Sequence, residues 1–588
     1  MSSLADFITK NRTLPRIDVM KLTFMFAAPL CLCIGMVALV SCGKKNFLDQ
    51  TETSNLDEKA VFTDSARTVN FLTNIYLDIG FAEGATRFGN GGLDAACDEA
   101  EPQKSASITT SVQFATGTVN PSIISADAWN TCYTNIRRVN QLLKHLPGAP
   151  IPSYIRNAMA AEARFLRAWY YASLLKHYGG IPLLGDSVFN VTDKIPAVRN
   201  TYKDCVDYIV SECDAAAGAL PLERIREDYG RASGGAAMAL KARVLLYAAS
   251  PLFNGGNIDP QNAVTGYTDN VQERWKLAAD AAAAVMSTGG YSLNEDNATA
   301  PGYGFYKLFT LRVNPEYILA KMQGGNRELE TAWQPPSRGG GQGGFPYQDF
   351  VDAFSMANGM PITDPASGYQ PNDPYKDRDP RLAYSIIRDQ TPLIQNNGLK
   401  EPVNIFLNAN GAGASQDAVL AGTPTGYYTN KMLDENIAAN FIHGSQRCFP
   451  LMRYAEVLLN FAEATNEYDG PTQAVYDAVE LVRRRAGLSP YELPDGLSRD
   501  QMRTAIQTER RVELAFEGHR FWDVRRWKIA EQTQNKTMNG MKVIRNGSNV
   551  TYTVFPVRKH NFRNAMYLWA IPQSETAKSP ELKQNPLW

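Results

Sequence analysis

The sequence predicts a mainly α protein, with helix pairs at both ends of the chain forming a superhelical core around a long, irregular insertion. Two observations predict this. Apolar residues recur at helical spacing in 154–286 and again in 451–528. Between about 290 and 445 the chain is instead rich in Gly, Pro, Asn and Tyr and lacks long periodic runs.

The longest predicted helix covers Tyr154–Tyr178. Ser153 stands where a cap belongs, Leu166, Tyr170, Leu174 and Tyr178 form one apolar row, and Gly179-Gly180 followed by Pro182 ends it. Ala232–Ala249 is a second helix, rich in Ala and Gly and closed by Pro251, and Glu273–Met286 is a third, closed by Gly289-Gly290. Cys205 and Cys213 lie on a further predicted helix. Eight residues separate them by roughly 12 Å along the axis, too far to bond each other. In the last third, helices are predicted over Leu451–Asn466, Gln473–Ala486 and Asp500 to about Lys528. The short turns between them imply helices that fold back on one another. No repeat of fixed period is visible. The glycine run 339–344 reads as a flexible loop, because no Gly-Lys-Ser/Thr follows it.

With 588 residues and a net charge of −1, the composition is that of a globular protein without the basic surplus that nucleic acid requires. The N-terminus carries an address. Leu22–Val40 is an apolar run that follows Lys21, contains Pro29 and leads into Ser41-Cys42. This resembles a bacterial lipobox. Residues 1–41 are therefore expected to be a signal peptide, with Met20 as the true start and Cys42 as the acylated first residue of the mature chain 42–588. Lys44 and Lys45 follow where surface-exported lipoproteins often carry acidic residues. Removing Cys31 and Cys33 and lipidating Cys42 leaves five cysteines, so at least one thiol is free. No CxxC or HExxH spacing is present, and neither a metal nor a cofactor is expected.

Catalytic patterns were sought in the same way. There is no Gly-x-Ser-x-Gly elbow. Glu456 and Glu463, seven apart on one helix, lie roughly 10.5 Å apart along its axis, beyond the ~6.5–9.5 Å of inverting glycosidases. Their expected role, shared with Glu509, Glu513 and Glu517, is to pair with Arg453, Arg483, Arg484, Arg510 and Arg511 where helices meet.

Four stretches carry a family resemblance. They are Ala161-Glu162-Ala163-Arg164-Phe165-Leu166-Arg167-Ala168-Trp169-Tyr170-Tyr171 running on to Tyr178-Gly179-Gly180-Ile181-Pro182-Leu183; Arg453-Tyr454-Ala455-Glu456 with Ala462-Glu463-Ala464; Glu509-Arg510-Arg511 through Phe516-Glu517-Gly518-His519-Arg520 to Trp522-Asp523 and Arg525-Arg526-Trp527; and Leu568-Trp569-Ala570-Ile571-Pro572-Gln573 with the terminal Gln584-Asn585-Pro586-Leu587-Trp588. In this order they resemble the SusD/RagB family of nutrient-binding outer-membrane lipoproteins, and Phe47-Leu48-Asp49 fits the family's tether.

The resemblance implies a tetratricopeptide-like helix-pair scaffold over about 55–290 and 446–588, with a ligand-binding, loop-rich region over about 290–445. It implies a non-catalytic protein, lipid-anchored in the outer membrane and facing the cell exterior, that binds a glycan, or as a second class a peptide. It further implies delivery of that ligand to a SusC-like TonB-dependent transporter. Ligand contacts in the family come from the loop after the first helix and from the middle region. Here those stretches offer Arg87, Phe88, Asn90, Asp98 and Phe114, then Trp333, Arg338 and Tyr347. Trp333 with Phe88 or Phe114 is the expected stacking platform, and Arg87 and Arg338 are the expected hydrogen-bond donors. A protein-binding helical scaffold and a glycoside hydrolase are the alternative readings.

Overall fold

Apolar helix faces must be covered, and in this chain each long helix covers its neighbour's. The computed structural model describes residues 58–588 apart from 86, 89–90, 103–107 and 191. The lipobox, Cys42 and Asn90 lie outside the described residues. Apart from helices of four or five residues, the α-helices are α1 (Ser65–Tyr76), α2 (Thr110–Thr116), α3 (Asp127–His145), α4 (Ser153–Tyr178), α5 (Tyr202–Ala217), α6 (Gly234–Ala249), α7 (Glu273–Ser287), α8 (Tyr303–Thr310), α9 (Glu328–Trp333), α10 (Tyr454–Asp469), α11 (Gln473–Arg485), α12 (Arg499–Glu513) and α13 (Arg520–Arg526). From α3 to α7 each helix packs on the next. The stack then jumps the insertion, as α7 packs on α10 and α10 on α11 and α12. Both ends of the sequence thus build one scaffold.

Local chemistry sets the helix limits. Thr201 and Ser498 form capping boxes at α5 and α12, and Ser233 accepts from the Ala236 amide at the start of α6. Ser153 does not cap α4: Pro152 holds the cap position and Ser153 is the first helical residue. Gly179, at φ +75°, ends α4 as expected. The helix expected from Leu451 begins only at Tyr454, because Leu451–Arg453 belong to an antiparallel strand pair between Tyr317–Lys321 and Phe449–Arg453.

The helix expected from Asp500 to Lys528 is two. It breaks after Glu513, where Phe516 and Gly518 take positive φ. The break has a cause. The Glu513 carbonyl accepts from Lys431 Nζ at 2.8 Å and Arg453 Nη2 at 2.7 Å, and the Ala515 carbonyl accepts from Lys431 Nζ at 2.7 Å. Side-chain cations thus take up the helix-end carbonyls. A further departure is the long hairpin Thr537–Asn546/Asn549–Lys559, in a stretch expected to be helical.

Where the insertion meets the stack, buried charges are paired with one another. Arg453 bonds Glu316 (2.8 Å), Glu513 (2.6 Å) and Glu517 (2.6 Å). Arg485 bonds Glu316 (2.7 Å) and Glu513, and Arg381 bonds Asp379 (2.8 Å), Glu509 (2.5 Å) and Glu513 (2.9 Å). As expected, Arg453 pairs with Glu513 and Glu517, Arg483 with Glu509 at 4.0 Å and Arg510 with Glu463 at 3.8 Å, but several shorter contacts go to unexpected partners. Glu456 pairs with Arg243, and Glu463 with Arg526 at 2.5 Å and with Trp527 Nε1 at 2.7 Å. Arg484 reaches the exposed Glu295, and Arg511 reaches Asp98. Residues distant in sequence supply these partners, so spacing within one helix did not reveal them. The five cysteines among the described residues are buried and unbridged.

Candidate functional site

Most sequence-predicted site residues are turned inward. Arg87 donates from Nε and Nη2 to the Asp127 carboxylate at 2.7 and 3.1 Å, and from Nη1 to the Ala82 carbonyl at 3.1 Å. Its Nη2 also lies 3.2 Å from His177 Nε2. The His177 Nδ1–H donates to the Ser173 carbonyl at 2.6 Å, which leaves Nε2 as the acceptor for Arg87. Phe88, half-buried and at φ +63°, lies under the Arg87 guanidinium at 4.3 Å. The rings of Phe88 and Phe114 lie 5.7 and 4.9 Å from Trp569. Asp98 is buried between Arg520 (2.7 Å) and Arg511 (3.3 Å). Burial pushes its carboxyl up, but the two guanidinium groups outweigh that and hold it well below the usual range.

The middle-region residues are likewise engaged. The Tyr347 hydroxyl donates to Glu101 at 2.6 Å, and Arg338 donates to the carbonyls of Leu393 (3.2 Å) and Glu401 (2.5 Å). Trp333 is 2% exposed and packs on Phe516 at 5.9 Å. The structure therefore gathers Arg87, Phe88 and Phe114 around Trp569 and leaves Trp333 in a separate cluster. The expected platform of Trp333 with Phe88 or Phe114 is not formed, and Arg338 gives Nη2 to two backbone carbonyls and Nη1 to the Ser337 hydroxyl at 2.6 Å. The physical reason is shared: Arg87, Asp98, Arg338 and Tyr347 found partners far along the chain, and each ring found other rings.

A surface groove stands elsewhere in the middle region. Tyr303 and Tyr306, three apart on α8, share one helix face. Their ring centroids are 5.6 Å apart, and Tyr306 stacks on Tyr384 at 5.6 Å with an interplanar angle of 22°. Tyr384 sits on the short helix Arg381–Ser385, which Arg381 fastens to the buried charges described above. The hairpin Pro392–Ile394/Lys400–Pro402 forms the facing wall, and Leu393 and Leu433 line the base. The enclosed space is about 240 Å³.

The rim is polar. Lys400 pairs with Glu435, and the Glu435 amide donates to the Tyr306 hydroxyl oxygen at 3.0 Å. Asn430 and Asp434 complete the lining. Burial pushes the Tyr306 phenol up, with Glu435 and Asp434 adding to the rise, so the hydroxyl stays protonated and able to donate. Flat ring faces beside hydrogen-bonding groups suit a molecule with apolar C–H faces and many hydroxyls. The sequence reading missed all three tyrosines, although the spacing in Tyr303-Gly304-Phe305-Tyr306 could have placed two on one face.

By contrast, the carboxylates Glu456 and Glu463 are each locked to arginine, and Arg243 holds Glu456 down at about 2 against the pull of burial. Both serve the helix contacts.

Fold and groove together define a helical scaffold carrying a surface groove in its irregular insertion. A family model described as "SusD family" matches residues 308–588, and one described as "Starch-binding associating with outer membrane" matches 46–246. The chain belongs to the SusD/RagB family. SusD-like protein P2 of Formosa agariphila is 25% identical over 415 residues, covering 69% of this chain and 72% of its own length. A SusD-like protein from Bacteroides fragilis superposes with a TM-score of 0.75 at 26% identity, covering 91% of this chain and 99% of that one. A SusD-like carbohydrate-binding protein from the same species gives a TM-score of 0.70 at 24% identity, covering 89% and 100%, which is a likeness of fold. The architecture is the tetratricopeptide-like one of these structures. Among the described residues, no helix is long and apolar enough to cross a membrane.

Proposed function

We propose that this chain is a non-catalytic lipoprotein of the outer membrane that captures a glycan and passes it to a SusC-like TonB-dependent transporter. Acylation at Cys42 would hold it on the outer face, and stable anchoring there needs more than one acyl chain. The observation that carries the reading is the wall of Tyr303, Tyr306 and Tyr384 beside the polar rim of Asn430, Asp434, Glu435 and Lys400. It is supported by the starch-binding, outer-membrane description of the family model over 46–246.

The test is migration of the full chain, in detergent, through native gels containing amylopectin, laminarin or xylan. At least one polysaccharide should retard it. Tyr384→Ala should lose roughly tenfold or more in affinity for that polysaccharide, since one stacked ring typically contributes over 1 kcal/mol at a binding site. Retardation that is unchanged in a folded Tyr384→Ala variant would remove the groove from the account. Shortened polysaccharide recovered after incubation would contradict the non-catalytic reading.

A further inference from the structure

The groove's charges point to a narrower class of ligand. Resting on the reading that the tyrosine groove holds glycan, we propose that it selects uncharged chains and rejects sulfated or uronate-bearing ones.

Of the lining residues, Lys400, Asp434 and Glu435 carry charge, so one cation faces two carboxylates and the sum is −1. Lys400 is not free to receive an anion, because it is paired with Glu435. Asp434 is fixed by the Ser445 hydroxyl, which donates to it at 3.0 Å, and by the Asn436 amide at 3.0 Å, so its charge stays at the rim.

The cations behind the walls do not reverse this sign. Arg338, behind the hairpin, has Asp417 and Glu401 beside it, and Arg447 is held by both oxygens of Glu330, at 2.5 and 2.7 Å. Once burial is counted, Glu435 and Asp434 push the Tyr306 hydroxyl up, and Tyr303, Glu435 and Asp296 push the Tyr384 hydroxyl up. A concave site lined by one sign of charge concentrates its potential toward the opening. An anionic sugar placed against the rings would therefore meet a like charge with no unpaired cation to offset it. An uncharged sugar would instead find carboxylate and phenol oxygens to accept its hydroxyls.

The experiment compares paired polymers that differ only in charge: laminarin with laminarin sulfate, and amylopectin with carboxymethyl amylopectin. Full-length protein in detergent is titrated with each, alongside Tyr384→Ala and Glu435→Gln. Glu435 is chosen because its side chain meets only Lys400 at the rim, and its substitution frees that cation. The neutral member of a bound pair should bind roughly tenfold more tightly, the size of one screened like charge a few ångströms away. Glu435→Gln should shrink that preference, and its melting temperature checks that the fold is kept. Equal or tighter binding of the charged member, lost in Tyr384→Ala, would overturn the charge selection and leave the groove reading intact. Binding of either member at unchanged affinity in Tyr384→Ala would overturn the groove reading itself. Failure of both pairs to bind would count against both.

Discussion

Replacing Glu513 with Ala is expected to destabilise the protein by about 3–5 kcal/mol, the usual consequence of removing one partner from a buried ion cluster. Glu513 is fully buried and serves Arg381, Arg453 and Arg485 together. Around it, Arg381, Arg453, Arg483, Arg485 and Lys431 face Asp379, Glu316, Glu509, Glu513 and Glu517, five cations against five carboxylates. Loss of one carboxylate leaves a buried positive charge and three guanidinium groups with unfilled donors. The cluster also fixes the break between α12 and α13 and anchors the helix that carries Tyr384, so the damage should reach the groove. Urea unfolding followed by helix circular dichroism should show the midpoint fall. An unfolding free energy within about 0.5 kcal/mol of the parent would show that the cluster does not support the fold.

The same group gives a pH signature. Burial raises the Glu513 carboxyl, but Arg485, Arg453 and Arg381 outweigh it and hold it at about 2, against 4.5 for the free group. A depressed carboxyl contributes stability above its unfolded value and loses it as pH falls through the folded one. The loss therefore runs from about pH 4.5 to 2, and one such group is worth on the order of 3 kcal/mol. Three histidines act at higher pH. Burial holds the half-buried His519 and the buried His560 at about 4 and the buried His177 well below its ordinary value, so below 6.5 the unfolded chain takes up protons that the folded one refuses. Stability should fall in two stages on acidification, and Glu513→Gln should flatten the lower one.

Trp569→Ala is the second large effect, at about 3–5 kcal/mol for a buried Trp truncated to Ala. Trp569 is fully buried, and its ring lies within 4.6–6.4 Å of Phe88, Phe114, His177, Tyr178, Phe521 and Trp522. It joins the C-terminal motif to the end of α4 and to α13, and its amide donates to the His177 carbonyl at 2.8 Å. Trp569→Phe should cost only roughly 1–2 kcal/mol, because most of the volume is kept. Glycan affinity should be unchanged in the folded Phe variant. A large affinity loss there would return Arg87, Phe88 and Phe114, which cluster on this ring, to the binding site.

The scaffold was legible because helix punctuation is local. Gly179-Gly180-Ile181-Pro182 ends α4 within a few residues of its last apolar position, and the Ala-rich faces of α6 and α7 mark close packing. What competes with local pattern was not legible. The α12/α13 break depends on Lys431, about 80 residues upstream of the carbonyls it binds. The hairpin Thr537–Lys559 had a signal that went unread, the two-residue turn Gly547-Ser548 between alternating residues. The site was legible only as a region. Polar and aromatic residues in a glycine-rich stretch read as surface, yet Arg87 is satisfied by Asp127, forty residues on, and Trp333 is buried against Phe516. The groove needs Tyr384 beside Tyr306, and that juxtaposition follows from the placement of Arg381 in a cluster assembled from six separate segments.

Amide hydrogen exchange with and without a saturating polysaccharide that retards the protein tests the central claim most directly. Protection is expected in the segments around 303–306, 384–394, 400 and 430–435, with α4, α10 and α12 unchanged and the polysaccharide recovered at full length. Protection confined to 81–122, or to the helices bearing Glu456 and Glu463, would contradict the account.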